Sequence, residues 1–154
     1  MDTIETGDLV ERFAAAPGRI ARAASGHDAT RLHAAPAPGE WSPRDILAHL
    51  RASDDILAPR LIQILVRDDT PLPAFDERRW AEVVGYGSLE FQSLLATFTA
   101  RRAELTAMLR RLSPDHWQRA GVHEERGPRT ILQLLRILVE HEAEHCAQIE
   151  ALLA

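Results

Sequence analysis

Apolar residues recur at three-to-four spacing along four segments of the chain, and no segment alternates strictly between apolar and polar residues as a half-buried strand does. This pattern predicts an all-α fold with four main helices. The first helix is predicted over residues 7–24, with Gly26 just beyond its end, and Pro17 is expected to kink or split it. Its inward-facing residues are Leu9, Val10, Phe13, Ile20 and Ala24.

The second helix has a strong start signal after a polar, proline-rich connection over residues 27–40. Ser42 can cap a helix whose first residue is Pro43 and whose third is Asp45. Pro59 is expected to bend or interrupt this helix. Its apolar stripe comprises Ile46, Leu47, Leu50, Ile56, Leu57, Leu61, Ile64 and Leu65.

An irregular stretch over residues 67–87 separates the second helix from the third. It contains two prolines and two glycines, and its length indicates a functional role, such as covering a site. Ser88 is expected to cap the third helix, and Ser113 with Pro114 to end it. The third stripe comprises Phe91, Leu94, Leu95, Phe98, Leu105, Met108, Leu109 and Leu112.

The last helix is predicted over residues 130–153, because Thr130 and Gln133 form a second capping-box pattern. Its stripe comprises Ile131, Leu134, Leu135, Leu138, Ile149 and Leu152. Four helices of this kind predict a four-helix bundle, and we find no linker that divides it, so residues 1–154 are expected to form one domain.

Composition narrows the function classes. The net charge of -5 argues against nucleic acid as the main partner, because phosphate binding needs a clustered basic surface. No apolar run approaches the roughly 18 residues that a membrane-spanning helix needs, and the start Met1-Asp2-Thr3 lacks the basic residues of a secretion signal. We therefore expect a cytoplasmic protein with no membrane partner. Cys146 is the single cysteine, which excludes an internal disulfide.

Three histidines are the candidates for chemistry. His141 and His145 are four residues apart, which places both imidazoles on one side of the last helix, and His49 lies within the second helix. A bundle can bring the three together, and three histidines with one open position form a reactive metal site. Spacing alone leaves an alternative open, in which His141 and His145 are half-exposed residues at a helix edge.

Several segments carry a resemblance to a known family. WSPRDILAHL at residues 41–50, LSPDHW at 112–117, TILQLL at 130–135 and HEAEHCAQI at 141–149 resemble the DinB-like metal-binding four-helix bundles, in the order and separation that the family has. The resemblance implies a crossover through the long connection between helices 2 and 3, frequent dimers, and metal ligands at His49, His141 and His145. One departure is Glu144, where some relatives have a further histidine.

The resemblance also implies a class of chemistry. Family members with assigned activity include thiol transferases that use bacillithiol or mycothiol, among them a maleylpyruvate isomerase, while many members have none assigned. Three neutral histidines leave a divalent ion able to acidify a bound water or thiol, so a metal-bound thiolate is the expected nucleophile, with metal-bound water as the alternative. Zinc or nickel is the expected metal, without exclusion of iron or manganese.

The expected protein is therefore a homodimeric, metal-dependent enzyme that acts on a small molecule with the help of a low-molecular-weight thiol. Two alternatives stay open, a metal-dependent hydrolase and a non-catalytic, stress-related bundle that the metal only braces. A fourth protein ligand would favour bracing, whereas three ligands beside a pocket would favour chemistry.

Neighbouring residues are weaker candidates. Gln148, one turn beyond His145, could orient its imidazole or contact substrate. Arg60, Arg78 and Arg79 border the long connection and could recognise a carboxylated thiol or substrate, or could form a solvated basic edge. Cys146 points away from the histidine face and is expected to fill the core.

Other polar and aromatic residues are expected to serve the fold or to lie in solvent. Asp45, one turn before His49, should act as a helix-start carboxylate, with orientation of an imidazole or contact with substrate as its alternative. Glu142 and Glu144 should be solvated charges, with a role as bases near the metal as theirs. Asp54 and Asp55 should lie off the histidine face. The expected packing residues are Trp41, Trp80 and Trp117, and the histidines expected in solvated connections are His27, His33, His116 and His123, of which His123 is near enough to the last helix to contact a site.

Overall fold

A computed structural model describes residues 3–154 of the chain. Met1 and Asp2, which entered the argument about a secretion signal, lie outside the described residues. In chain order the helices are α1 (Thr3–Ala24), α2 (Ala29–His33), α3 (Pro43–Val66), α4 (Glu77–Val84), α5 (Phe91–Leu109), α6 (Pro114–Gln118) and α7 (Ile131–Leu153). A 3₁₀ turn, η1 (Tyr86–Ser88), precedes α5, and three short strands are β1 (Thr70–Leu72), β2 (Ala120–His123) and β3 (Gly127–Thr130).

The four long helices α1, α3, α5 and α7 form the predicted bundle. Both α1 and α3 pack against α5 and α7, so α1 and α3 occupy opposite corners. Two clusters of buried apolar side chains fill the interior, one around Phe13 and Leu135 and the other around Phe98 and Ile149. Among the described helices, none is long and apolar enough to cross a membrane.

Neither internal proline ends its helix. α1 continues through Pro17 and α3 through Pro59, so neither helix is split or interrupted at its proline. The alternative outcomes, a kink in α1 and a bend in α3, stay predictions. Buried residues lie on either side of each proline, Phe13 and Ile20 in α1, and Leu57 and Leu61 in α3. Packing of these apolar faces holds the backbone helical despite the missing N–H group.

The third bundle helix begins later than predicted. Glu90 occupies the N-cap position of α5, and Ser88 belongs to η1, where its hydroxyl donates a hydrogen bond of 2.7 Å to the Gly85 carbonyl. Ser88 therefore does not cap α5. The hydroxyl closes a turn instead, which is a common use of serine before a helix.

The connection over residues 67–90 is ordered rather than irregular. It contains β1, α4 and η1, and Asp76 caps α4 by accepting hydrogen bonds from the Arg78 and Arg79 backbone N–H groups. Gly85 ends α4 in the left-handed conformation, with φ of 80°, which glycine adopts without steric cost. α4 packs on α3, and this contact brings the connection close to His49.

The structure contains a small three-stranded sheet that the sequence pattern did not predict. β1 pairs in parallel with β2, and β2 pairs antiparallel with β3, with Thr70 opposite Gly121 and Ala120 opposite Thr130. The strands have three or four residues each, too few for alternation to be recognised. The sheet joins the 67–90 connection to the segment that leads directly into α7.

Candidate metal centre

Two well-capped helices carry the three histidines. His49 lies in the second turn of α3, whose start is fixed by a capping box in which Ser42 and Asp45 bond each other's backbone N–H groups. His141 and His145 lie on α7, which begins with the equivalent box of Thr130 and Gln133. The structure brings the three histidines together, and the Asp45 prediction as a helix-start carboxylate is confirmed.

The three imidazoles converge through the same ring nitrogen. His141 Nε2 lies 3.0 Å from His49 Nε2 and 3.1 Å from His145 Nε2. A tetrahedral zinc ion with bonds of about 2.0–2.1 Å to nitrogen holds its ligands about 3.3–3.4 Å apart. These two distances are within a few tenths of an ångström of the spacing that histidine ligands require, and potential ligand atoms of all three residues lie within 4.8 Å of one another.

Hydrogen bonds among the imidazoles do not account for this cluster. A neutral imidazole has one N–H donor and one acceptor nitrogen, so His141 Nε2 can form only one good hydrogen bond with its two neighbours. His145 Nδ1 lies 3.0 Å from Gln148 Oε1, an amide oxygen that can accept a hydrogen bond from Nδ1–H, which leaves the Nε2 lone pair free. With Nε2 unprotonated on all three rings, the three nitrogen atoms would be placed to bind one cation.

The electrostatic setting favours the neutral form of the His49 and His141 rings. The pKa of His49 is lowered to about 4, because burial disfavours the charged ring and His145 and His141 add repulsion. The pKa of His141 is also lowered, by burial and then by His145. Neutral imidazole is the form that binds metal ions. Within residues 3–154, the group of potential ligands found at this point has three members, all histidines.

Solvent reaches the histidines through a cavity of about 620 Å³. Trp41, Arg78 and Gln148 line this cavity together with His49 and His145. The Trp41 ring lies 5.1 Å from the His49 ring and 6.1 Å from the His145 ring, centroid to centroid. The guanidinium carbon of Arg78 lies over the Trp41 ring, 4.9 Å from its centroid. Trp41 thus forms part of the wall of the site, whereas the sequence predicted only a packing role for it.

The comparison with family models decides the family. Residues 12–149 match the model of the DinB superfamily. The chain belongs to the DinB superfamily. This membership confirms the resemblance found in the sequence.

Two curated relatives of this DinB chain come from Oceanobacillus iheyensis. The protein named "Putative metal-dependent hydrolase OB0782" is 29% identical over 114 residues, 74% of this chain and 66% of the relative. The similarly named OB0413 is 23% identical over 116 residues, 75% of this chain and 66% of the relative. The matched part spans just under two thirds of each relative's length.

Solved structures share the DinB bundle. YfiT from Bacillus subtilis, described as a probable metal-dependent hydrolase with an unusual four-helix bundle topology, superposes with a TM-score of 0.88 at 21% identity, over 99% of this chain and 87% of that one. A mycothiol-dependent maleylpyruvate isomerase gives a TM-score of 0.75 at 16% identity, over 97% of this chain and 63% of that one. At these identities the similarity establishes the fold, and the predicted four-helix bundle is confirmed.

A buried ion cluster lies beside the histidines of the DinB chain. Arg102 donates to both Glu142 carboxylate oxygens and, over 2.8 Å, to Asp54 Oδ1. Glu142 is 2% exposed and Asp54 is fully buried, so the prediction that Glu142 is a solvated charge is wrong. Burial raises the pKa of Glu142 to about 7 against the opposing effect of Arg102. Glu142 directly follows His141 in the chain, but its partner Arg102 lies 40 residues away, so the sequence alone could not reveal the cluster.

His123 and Arg60 occupy a second cavity of the DinB chain. His123 ends β2 and is 9% exposed, so its expected solvated position is wrong. Arg60 donates to the Pro73 carbonyl of the 67–90 connection. Both side chains line a cavity of about 310 Å³ that extends to His141. The small sheet, which the sequence did not predict, places His123 in the wall of this cavity.

The remaining candidates divide between packing and surface. Cys146 is 1% exposed with its pKa raised to about 11 by burial, and Trp117 is 4% exposed, so both are core residues as predicted. Trp80 is half-buried and packs edge-on against Phe75 rather than anchoring the core. Arg79 is exposed beside Glu82, and Asp55 pairs with Arg51 and Arg101 away from the histidines.

Proposed function

We propose that this protein is a metal-dependent enzyme in which His49, His141 and His145 hold a divalent ion and a low-molecular-weight bacterial thiol is transferred to, or activated against, a small molecule. The observation that supports the proposal is the convergence of three Nε2 atoms beside an open cavity of about 620 Å³. Three histidines with access for a fourth ligand are typical of catalytic rather than structural zinc sites.

The chain's own residues have separable roles in this proposal. The three histidines supply neutral nitrogen donors, and Gln148 fixes the proton of His145 on Nδ1. Trp41 and Arg78 form the wall along which a thiol would enter. A divalent ion bound there would lower the pKa of a thiol or water that reaches it. Zinc and nickel both suit three imidazoles.

Thiol transfer and hydrolysis are both supported by relatives. The mycothiol-dependent isomerase shares the bundle, whereas the curated relatives from Oceanobacillus carry the name of metal-dependent hydrolases. Cys146, the single cysteine, is buried in the core, so a thiol that serves as the nucleophile has to come from outside the chain. We place thiol transfer first and hydrolysis second. The expected cytoplasmic homodimer stays a prediction, and sedimentation analysis of the metal-loaded chain tests the dimer.

Metal content is the first test. Untagged protein reconstituted with zinc or nickel should retain close to one ion per chain by plasma mass spectrometry. His49→Ala, His141→Ala and His145→Ala should each lose the ion, because two remaining ligands bind too weakly to survive dialysis. His27→Ala, a histidine in the connection before α3, is the matched control and should retain it. A wild type that binds no metal would contradict the proposal.

Activity then separates the two reactions. Metal-loaded protein is incubated with bacillithiol or mycothiol and a chromogenic aryl halide, and in parallel with an aryl ester and no thiol. Thiol transfer predicts thiol-dependent product formation that the histidine variants lack, whereas hydrolysis predicts ester cleavage without thiol. Full metal occupancy with neither activity across a panel of such substrates would favour the bracing alternative.

A further inference from the structure

The second cavity lies on the other side of the histidine site. It is bounded by α3, α7, the β2–β3 hairpin and the start of α4, and has a volume of about 310 Å³. His141 is part of its wall, so the cavity and the three-histidine site share one side chain. Its size is at the lower end of the range for small-molecule sites. The apolar part of its wall is formed by Ile56, Leu57, Leu134 and Leu138.

The polar part of the wall is strongly cationic. Arg60, Arg126 and Arg129 line the cavity together with His123, and a single carboxylate, that of Glu77, faces them. Burial lowers the pKa of Arg60, with Glu77 opposing and Arg126 adding to the effect. Arg60 and Arg126 likewise contribute to the lowered pKa of His123, after burial itself. Three arginines therefore face one carboxylate in the lining of a concave, partly desolvated place, while Glu125, outside the lining, opposes their effect on the pKa of His123.

The hydrogen-bond donors of these arginines are also underused. Arg60 donates one Nη group to the Pro73 carbonyl, and its Nε is buried without a partner among the described residues. Arg129 donates to the adjacent Pro128 carbonyl. Each guanidinium has five N–H groups, so most of the donors around the cavity stay available. Planar arrays of such donors match a carboxylate better than any neutral group.

We propose that this cavity binds the carboxylate of a small substrate that has an apolar body, and that it directs the rest of that substrate toward His141 and the metal site. The inference rests on the proposed function and names a substrate class for it. The arginines would hold the carboxylate, and the leucine and isoleucine side chains would contact the apolar body. The apolar wall favours such a substrate over the carboxylate of a polar, sugar-based thiol, which would enter by the larger cavity.

The test measures binding directly, by isothermal titration calorimetry on the full chain. The probe is 3-phenylpropionate, with 3-phenylpropionamide as its neutral counterpart and malate as a polar carboxylate without an apolar body. Each is titrated into metal-loaded and chelator-treated protein. We expect 3-phenylpropionate to bind more tightly than the amide or malate in both forms. Tighter binding of malate would assign the cavity to a polar carboxylate, such as one carried by the thiol, and overturn the substrate class.

Arginine variants locate the binding. Arg126→Gln and Arg129→Gln should each weaken 3-phenylpropionate binding at least about tenfold, because each removes a charge-assisted hydrogen bond. Arg126 is exposed at the hairpin turn, so its replacement should leave the fold intact. Arg79→Gln makes the same change of charge outside the cavity and should bind as the wild type does.

The outcomes separate this inference from the proposed function. Carboxylate binding that requires the metal and is indifferent to Arg126 and Arg129 would place the carboxylate on the ion, which would overturn the inference while leaving the metal site intact. Arginine-dependent binding to chelator-treated protein would support the inference whatever the metal analysis finds. Equal binding of the acid and the amide would also overturn it.

Discussion

Gln148 is exposed, yet its side chain acts on the candidate metal centre through His145. Its Oε1 lies 3.0 Å from His145 Nδ1, and only a protonated Nδ1 makes that contact favourable. The proton on Nδ1 leaves Nε2 as the acceptor nitrogen, in the cluster with His141 Nε2 at 3.1 Å. A residue that touches no ion would thereby determine both the tautomer and the orientation of one ligand.

Loss of the Gln148 side chain should weaken metal binding without removing a ligand. We expect Gln148→Ala to lower zinc affinity about 10–100-fold, the usual effect of deleting a partner of a histidine ligand. Gln148→Glu retains an acceptor oxygen and should preserve affinity. Gln92→Ala on the exposed face of α5 is the control, and competition with a chromophoric chelator is the measurement. Unchanged affinity in Gln148→Ala would show that His145 is oriented by packing alone.

At the residue scale, sequence predicted the histidines better than their neighbours. Spacing of four residues places His141 and His145 on one side of a helix whatever surrounds it. Whether Glu142 is solvated depends on Arg102, which lies 40 residues away in the chain and meets it only in the folded bundle. Residue type and local spacing contain no information about such a partner, so they predict a solvated Glu142.

At the element scale, the small sheet supports the cavity beside His141. β2 ends at His123, the hairpin carries Arg126 and Arg129, and β3 leads into α7. Gly121 occupies the tightest point of the sheet. A Cβ atom there would lie 2.8 Å from Leu72 Cγ and 2.9 Å from the Thr70 carbonyl oxygen, and the backbone oxygen cannot move away without breaking the strand pairing.

A methyl group at Gly121 should therefore destabilise the chain. We expect Gly121→Ala to lower the free energy of unfolding by about 1–3 kcal/mol, the usual cost of forcing an extra carbon into a packed site. Gly87→Ala is the matched control, because no atom lies within 4 Å of the position of its Cβ and its φ is not positive. Urea denaturation followed by circular dichroism measures both. Equal stability of the two variants would mean that β1 can separate from β2 at little cost.

The elements that sequence predicted well are those with local signals. The starts of α3 and α7 follow from Ser42 with Asp45 and from Thr130 with Gln133, because a capping box is complete within four residues. The strands have no such signal, since each is stabilised by a partner far along the chain. The continuity of α3 through Pro59 likewise depends on tertiary packing, which a proline rule based on the isolated helix leaves out.

At the scale of the whole molecule, one guanidinium joins all four bundle helices. Arg102 of α5 pairs with Asp54 of α3 and Glu142 of α7, and donates over 2.8 Å to the Phe13 carbonyl of α1. It is 1% exposed, and its guanidinium carbon lies 3.6 Å from the Phe13 ring centroid and 4.5 Å from that of Phe98. The cluster lies where the two apolar clusters of the core meet. Because Glu142 directly follows His141, it also helps to fix α7 and α3 at the separation that the histidines need.

Replacement of Arg102 should therefore have the largest effect on stability. Arg102→Met keeps much of the side-chain volume but leaves two carboxylates buried without a partner, and we expect it to lower the free energy of unfolding by roughly 3–5 kcal/mol. Arg110→Met, which removes the exposed pair with Glu11, is the control and should cost at most about 1 kcal/mol. Urea denaturation of metal-free protein measures both without a contribution from a bound ion. A cost for Arg102→Met as small as that of the control would mean that the two carboxylates take up protons readily enough to do without the guanidinium, and that apolar packing alone holds the four helices together.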